Sequence, residues 1–289
     1  MRYLIVADFW ADDFAGGAGK HSGGAELSDE ILYDVLSERG AEVKKVRSAD
    51  ITHDFIDQEP NSVFILSNFF KIHPFLLERI ETLKYILYCH DYKFIGHMQP
   101  QRYEGFIVPK EELINVSLFR NASAVICQSG LQQKIHIDNL GINNTINFSG
   151  NLWSTEILDL LEELIGAEKK DSTCSVVKSP YHEKGVVESI KFCIDNHFDY
   201  DLIGHKDYKT FLRQIALNKG LVFLNKLPET CGRIVVEAKM MNVHVHTTDL
   251  LGAYHEPWFN LMGKELIEVM RNKHNEVHRI ITTLNYDKP

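Results

Sequence analysis

Short apolar runs alternate with amphipathic stretches of helical period along almost the whole chain, and this rhythm restricts the fold more than any other feature. In the first half the runs are Tyr3 to Ala7, Glu42 to Val46, Val63 to Leu66, Tyr85 to Cys89, Ala124 to Cys127 and Ile146 to Phe148. Between them lie helical patterns. One carries Leu27, Ile31, Leu32, Val35 and Leu36 on one face and ends at Gly40; another covers Ser129 to Leu140, with Ser129 placed to cap it. Apolar strands separated by helices form a parallel sheet covered on both faces, since each crossover must return the chain to the same sheet edge.

The rhythm stops and restarts once. An apolar helical pattern, Ile157-Leu158-Leu160-Leu161-Leu164-Ile165, runs into Gly166 and the polar stretch Glu168 to Ser172, which is read as the domain connection. Strands at Cys174 to Val177, Tyr200 to Ile203, Leu221 to Leu224 and Val243 to Thr247 then make a second, smaller unit. The expected organisation is an N-terminal Rossmann-like domain over 1–150, a C-terminal one over 151–265, and a helix in 266–289 crossing back to the first. No low-complexity segment or repeat is evident beyond this twofold likeness.

Composition excludes several classes. With 289 residues, 44% hydrophobic and 25% charged, the chain has the profile of a soluble globular protein. Its first apolar run is too short for a signal peptide and no stretch suits a membrane-spanning helix, so a cytoplasmic location without stable membrane insertion is expected. Five scattered cysteines, Cys89, Cys127, Cys174, Cys193 and Cys231, suggest small core residues rather than disulfides or a zinc site. A net charge of -9 argues against a broad nucleic-acid surface. The charge is uneven: residues 1–70 hold six Lys/Arg against thirteen Asp/Glu, residues 71–134 eight against six, leaving room for a local basic face.

The chemistry concentrates in the second half. Glu229-Thr230-Cys231-Gly232-Arg233 lies where the strand at Leu221 to Leu224 gives way, through Pro228, to a helical pattern containing Glu237. Backbone N–H groups of Cys231, Gly232 and Arg233 would open that helix and suit a phosphate. Carboxylates accept from neighbouring hydroxyls of a ribose or sugar, and Lys178 and Lys184, the latter followed by Gly185, would neutralise a diphosphate. Glu237, amid Val235, Val236 and Ala238, would be costly to bury without donors, which ribose hydroxyls would supply. Glu229 would hold the donor sugar. As lone residues the two lysines would read as solvated surface charges.

Lys178-x5-Lys184-Gly185 followed by Glu229-x7-Glu237 resembles the C-terminal half of the retaining GT-B glycosyltransferases, group 1 or family 4-like. Arginine is usual where Lys178 stands, and the family's Glu-Gly-Phe-Gly turn is here Glu229-Thr230-Cys231-Gly232. Gly23-Gly24-Ala25-Glu26 is similar to the family's entry to the first helix, within a loop starting at Gly16 that could also be merely flexible. Tyr88-Cys89-His90-Asp91 ends a strand at the sheet edge where α/β folds bind ligands, and the resemblance places His90 near the transferred sugar; a structural His–Asp pair is the other reading.

The resemblance implies an α/β GT-B fold, two Rossmann-like domains with a donor cleft between them. It implies a metal-independent, retaining hexosyl- or pentosyltransferase using a nucleoside diphosphate sugar as substrate, with no cofactor. The catalytic set is then His90, Lys178, Lys184 and Glu229; the donor set Gly23, Gly24, Lys178, Lys184, Cys231, Gly232, Arg233 and Glu237; the acceptor side Glu26 and Asp91. The acceptor would be a saccharide or, in a compact phage-type enzyme, a hydroxymethylated DNA base.

Other readings have weaker footing. A non-catalytic nucleotide-sugar-binding protein is the alternative. A Rossmann oxidoreductase is disfavoured by the glycine spacing and by Arg47-Ser48 where an acid should end the second strand. A Walker loop is disfavoured because Phe14 stands for its first glycine and His21 follows Lys20. His244-x-His246 lacks a third metal ligand, and Asp199-Tyr200-Asp201 precedes its strand instead of ending it.

Overall fold

A computed structural model describes residues 1–14, 23–204 and 207–286. The glycine loop from Gly16 to Ser22 lies outside them. The chain divides into one unit of Met1–Leu152 with Lys273–Pro289, and a second of Trp153–Asn272.

The first unit runs β1 (Arg2–Ala7), α1 (Gly24–Glu38), β2 (Glu42–Arg47), α2 (His53–Gln58), β3 (Val63–Leu66), α3 (Pro74–Ile80), β4 (Lys84–Cys89), α4 (Val116–Asn121), β5 (Val125–Cys127), α5 (Gly130–Leu140) and β6 (Thr145–Asn147). Its six strands form one sheet in the order β2-β1-β3-β4-β5-β6, and every pairing is parallel. Successive residues of a strand point to opposite faces. Leu4 and Val6 of β1 therefore join Phe64, Leu66 and Leu87 in one buried cluster, while Tyr3 and Ile5 join Val63, Ile65, Ile86 and Tyr88 in another. Both faces are apolar because helices cover both. Ser129 caps α5 by accepting from the Gln132 N–H at 3.2 Å, as its position predicts.

The second unit comprises α6 (Thr155–Glu163), β7 (Lys170–Val177), α7 (Val186–Asp195), β8 (Asp199–Ile203), α8 (Tyr208–Ala216), β9 (Asn218–Phe223), α9 (Arg233–Met240) and β10 (His244–Thr247). Its sheet is also wholly parallel, in the order β10-β9-β7-β8. Within the 151–265 span expected for this unit, Ile157, Leu158, Leu160 and Leu161 of α6 are buried with Leu212, Ile215, Val235 and Val236. An apolar stripe of that width needs a core to cover it, so α6 is part of this unit. Helix α10 (Gly263–Thr283) spans the division, and its Val277, Ile280 and Ile281 pack in the first unit's second cluster. All five cysteines are buried and free. Among the described residues no helix is long and apolar enough to cross a membrane.

Candidate functional site

In the second unit the residues singled out from sequence gather at the carboxyl ends of β7 and β9. Lys178 follows the last residue of β7, its N–H donating to Ile203 O at 2.8 Å, and its exposed side chain has no charged partner among the described residues. Lys184 closes a short turn and its Nζ forms an ion pair with Glu229 Oε1. The Phe223 ring lies 5.9 Å from the same ammonium. Two residues from separate strand ends thus meet.

Gly185 explains why the turn can lie so close. Its φ is 65°, and a Cβ there would fall 1.7 Å from Leu224 O, inside the backbone leaving β9. Lys226 N–H donates to Glu183 O at 2.8 Å across the same contact. Gly185→Ala is therefore expected to destabilise the protein by well over the ~1 kcal/mol of an ordinary positive-φ substitution, because the turn must withdraw from β9. Urea unfolding measures this, and loss of ligand response in the folded fraction would show Lys184 moving with the turn.

The turn carrying Glu229 is held on the other side. Glu229 N–H donates to Leu250 O at 3.0 Å, Gly252 N–H returns to Glu229 O at 2.8 Å, and Ala253 N–H reaches Cys231 O at 3.1 Å. Gly232 precedes α9 with φ 83°, where a Cβ would meet Leu251 Cδ1 at 2.1 Å. The Cys231 thiol is buried, and burial, with the nearby acids set against Arg233, pushes it up to about 12. It stays a neutral thiol.

Helix α9 places Arg233 and Glu237 one turn apart, and both side chains turn inward. Glu237 Oε1 accepts from Trp153 Nε1 at 2.9 Å and from Tyr208 OH at 2.5 Å, and lies 3.5 Å from Arg233 Nε. The Arg233 guanidinium stacks over Trp153 at 4.5 Å and its Nη2 reaches Tyr208 OH at 3.4 Å. Burial and then the Glu237 charge raise the Tyr208 hydroxyl far above its ordinary value, so it remains a donor. The donors that Glu237 needs to be buried are already present within the protein. Its side chain is 3% exposed, and the protein's own indole, phenol and guanidinium satisfy it.

In the first unit a second network joins the ends of β3, β4 and β5. His90 Nε2 lies 2.8 Å from Asp29 Oδ1, and its Nδ1 accepts from Gln128 Nε2 at 2.7 Å. Ser67 Oγ donates to both Asp29 oxygens at 2.7 and 2.6 Å, and Asn151 Nδ2 donates to Gln128 Oε1 at 3.3 Å. Since Nδ1 accepts, the ring proton sits on Nε2 and faces Asp29. The His90 side chain is 5% exposed and is paired with Asp29. Asp91 instead pairs with the buried Lys93 at 2.5 Å. Glu26, expected on the acceptor side, accepts from Gly23 N–H at 2.8 Å at the start of α1, where the exposed Gly23 and Gly24 leave the cap open.

Asp29, Ser67, Gln128, Trp153 and Tyr208 were not identified from sequence. Only Asp29 carried a signal: it shares the stripe of α1 that buries Leu32 and Leu36, where a carboxylate needs a partner. Among the described residues no group of three or more His, Cys, Asp or Glu is placed to hold a metal ion.

No protein-family model and no curated protein matches the chain. Solved structures do resemble it. Sucrose-phosphate synthase from Thermosynechococcus elongatus superposes with a TM-score of 0.62 at 11% identity, over 97% of this chain and 98% of that one. An alpha-glucosyltransferase in complex with UDP and a 13-mer DNA gives 0.52 at 9% identity over 96% and 89%. A trehalose-6-phosphate structure from E. coli with bound UDP-2-fluoro glucose gives 0.51 at 9% identity over 99% and 96%. The fold is GT-B. The two parallel Rossmann-like units expected from the strand rhythm are those of this fold.

Proposed function

We propose that this protein is a metal-independent, retaining glycosyltransferase that moves a sugar from a nucleoside diphosphate sugar to a hydroxyl acceptor. The observation that carries the reading is the Lys184–Glu229 ion pair at the strand ends of the second unit, with Lys178 beside it on the same sheet edge. A diphosphate would draw Lys184 from Glu229 and engage Lys178, and the freed carboxylate would accept from sugar hydroxyls. The backbone of Cys231, Gly232 and Arg233 would face the phosphate, with Glu237 fixing Arg233 and the start of α9 from within. In the first unit, the His90–Asp29 network would hold the β4 end in shape.

In the reaction, the bond from the anomeric carbon to the diphosphate oxygen breaks and its electron pair leaves with the diphosphate. The acceptor oxygen bonds to that carbon on the same face, and its proton passes to the departing phosphate. Charge grows on the β-phosphate, where fixed cations stabilise the transition state more than the ground state. On the acceptor side, exposed Phe9 and Phe70 follow the adjacent strands β1 and β3, with Lys71 Nζ 3.7 Å from the Phe9 ring. Such a platform suits the flat face of a sugar or base.

Thermal shift with UDP, GDP, ADP and their sugars in EDTA-treated buffer tests the donor reading, since a ligand of the folded state raises the melting temperature. At least one diphosphate sugar is expected to do so, and to be hydrolysed or transferred to saccharide or hydroxymethylated-DNA acceptors. Binding without turnover on any acceptor selects the non-catalytic alternative. Failure of every nucleotide to bind removes both.

A further inference from the structure

The end of the second sheet opposite these residues holds a cavity of about 470 Å³, lined toward the beginnings of β9 and β10 by Lys219, Lys239, His244, His246, Phe198 and Met262. No described residue lining it is acidic. Lys239, in the last turn of α9, is only 9% exposed; its ammonium has no hydrogen bond or ion pair among the described residues and lies 4.6 Å from the Phe259 ring. Burial lowers this ammonium from the ordinary lysine value, the mark of a charge held where water solvates it poorly. Lys219 stands at the rim, paired with the exposed Asp171 at 3.0 Å. His246 packs against Phe192 and Phe198 at 4.9 and 5.7 Å between ring centroids, and is held below the usual histidine range by burial and by His244.

At the inner wall the strands pack closely. Gly220 pairs with His244 and Cys174 in adjacent strands, and any Cβ at 220 would come within 2.6 Å of Cys174 Sγ. The result is a concave site with an apolar, aromatic wall, the Lys239 ammonium, and Lys219 at the rim beside Asp171. The Lys239 ammonium, carried on a mostly buried side chain at the wall of this cavity, is a charge that an incoming anion would meet directly.

We propose that this cavity is a second ligand site, taking a small molecule with a phosphate or carboxylate head and an apolar or aromatic body. The head would meet Lys239 with support from Lys219 and His244, and the body would lie along Phe198 and Met262. This site lies away from the strand ends that carry Lys178, Lys184 and Glu229, and it stands independently of the glycosyltransferase reading.

Calorimetry and thermal shift with phenyl phosphate, benzoate and inorganic phosphate, at ionic strength matched with chloride, test the proposal. Wild-type protein is expected to bind phenyl phosphate or benzoate more tightly than inorganic phosphate, and Lys239→Met to weaken binding at least tenfold. The phenyl phosphate and benzoate arms separate the two head groups. The response to UDP is expected to be equal in wild type and Lys239→Met, which keeps the outcome distinct from the fate of the donor site. No response to any of the three probes, or equal affinity in Lys239→Met, overturns the proposal. If that variant does not fold, Lys219→Met/His244→Phe replaces exposed residues and is expected to lose affinity about fivefold; unchanged affinity there is equally fatal.

Discussion

Lys184→Ala is expected to lower turnover by about 10²–10³-fold, the usual loss when one fixed donor to a developing negative charge is removed. Donor affinity should fall less, because the ammonium meets more charge on the β-phosphate in the transition state than in the bound donor. The fold should survive: the Lys184–Glu229 pair is partly solvated, and such pairs contribute little stability. Lys184→Arg keeps the charge but not the compact ammonium, so only partial rescue is expected. Steady-state rates with the donor identified by thermal shift, together with the melting temperature of each variant, separate these effects. Turnover within twofold of wild type in Lys184→Ala would remove the lysine from the mechanism.

Glu237→Ala is expected to destabilise the protein by about 3–5 kcal/mol, the cost of leaving a buried guanidinium without its carboxylate. Arg233, Tyr208 and Trp153 all direct donors or positive charge at the same carboxylate. Glu237→Gln should cost less, since its amide oxygen can still accept from the indole and phenol while the ion pair is lost. Urea denaturation of the three proteins measures the order. If Glu237→Ala were as stable as wild type but failed to bind any nucleotide sugar, the carboxylate would serve the ligand directly and not the core.

Much of the architecture is legible along the chain because parallel strands buried on both faces are continuous apolar runs, and helices between them repeat at their own period. The runs at Val63 to Leu66 and Tyr85 to Cys89 fall within the observed β3 and β4, and Ser129 caps α5 as its position implied. For α6 the local pattern is less informative, because an apolar helix beside a polar stretch looks the same whether it links units or completes one. Only the residues it meets, Leu212 and Val235 among them, distinguish the cases.

The candidate site was legible where its geometry is local. Lys184 adjoins a glycine that must take a left-handed conformation, and Glu229 opens a turn ending in another; those requirements are written into residue type at fixed spacing. The partners that decide what each acid or imidazole does were not. Trp153 lies 84 positions from Glu237, and Asp29 lies 61 from His90. Residue order alone thus determined the strands, the crossovers and the glycines at close backbone approaches, because these depend on local periodicity and sterics. Tertiary packing decided that Glu237 is held by the protein's own donors, that His90 is paired with a helix carboxylate, and that Lys239 faces a cavity with no carboxylate partner among the described residues. Burial makes an unpaired polar group expensive, and which group relieves that cost is known only once distant segments meet.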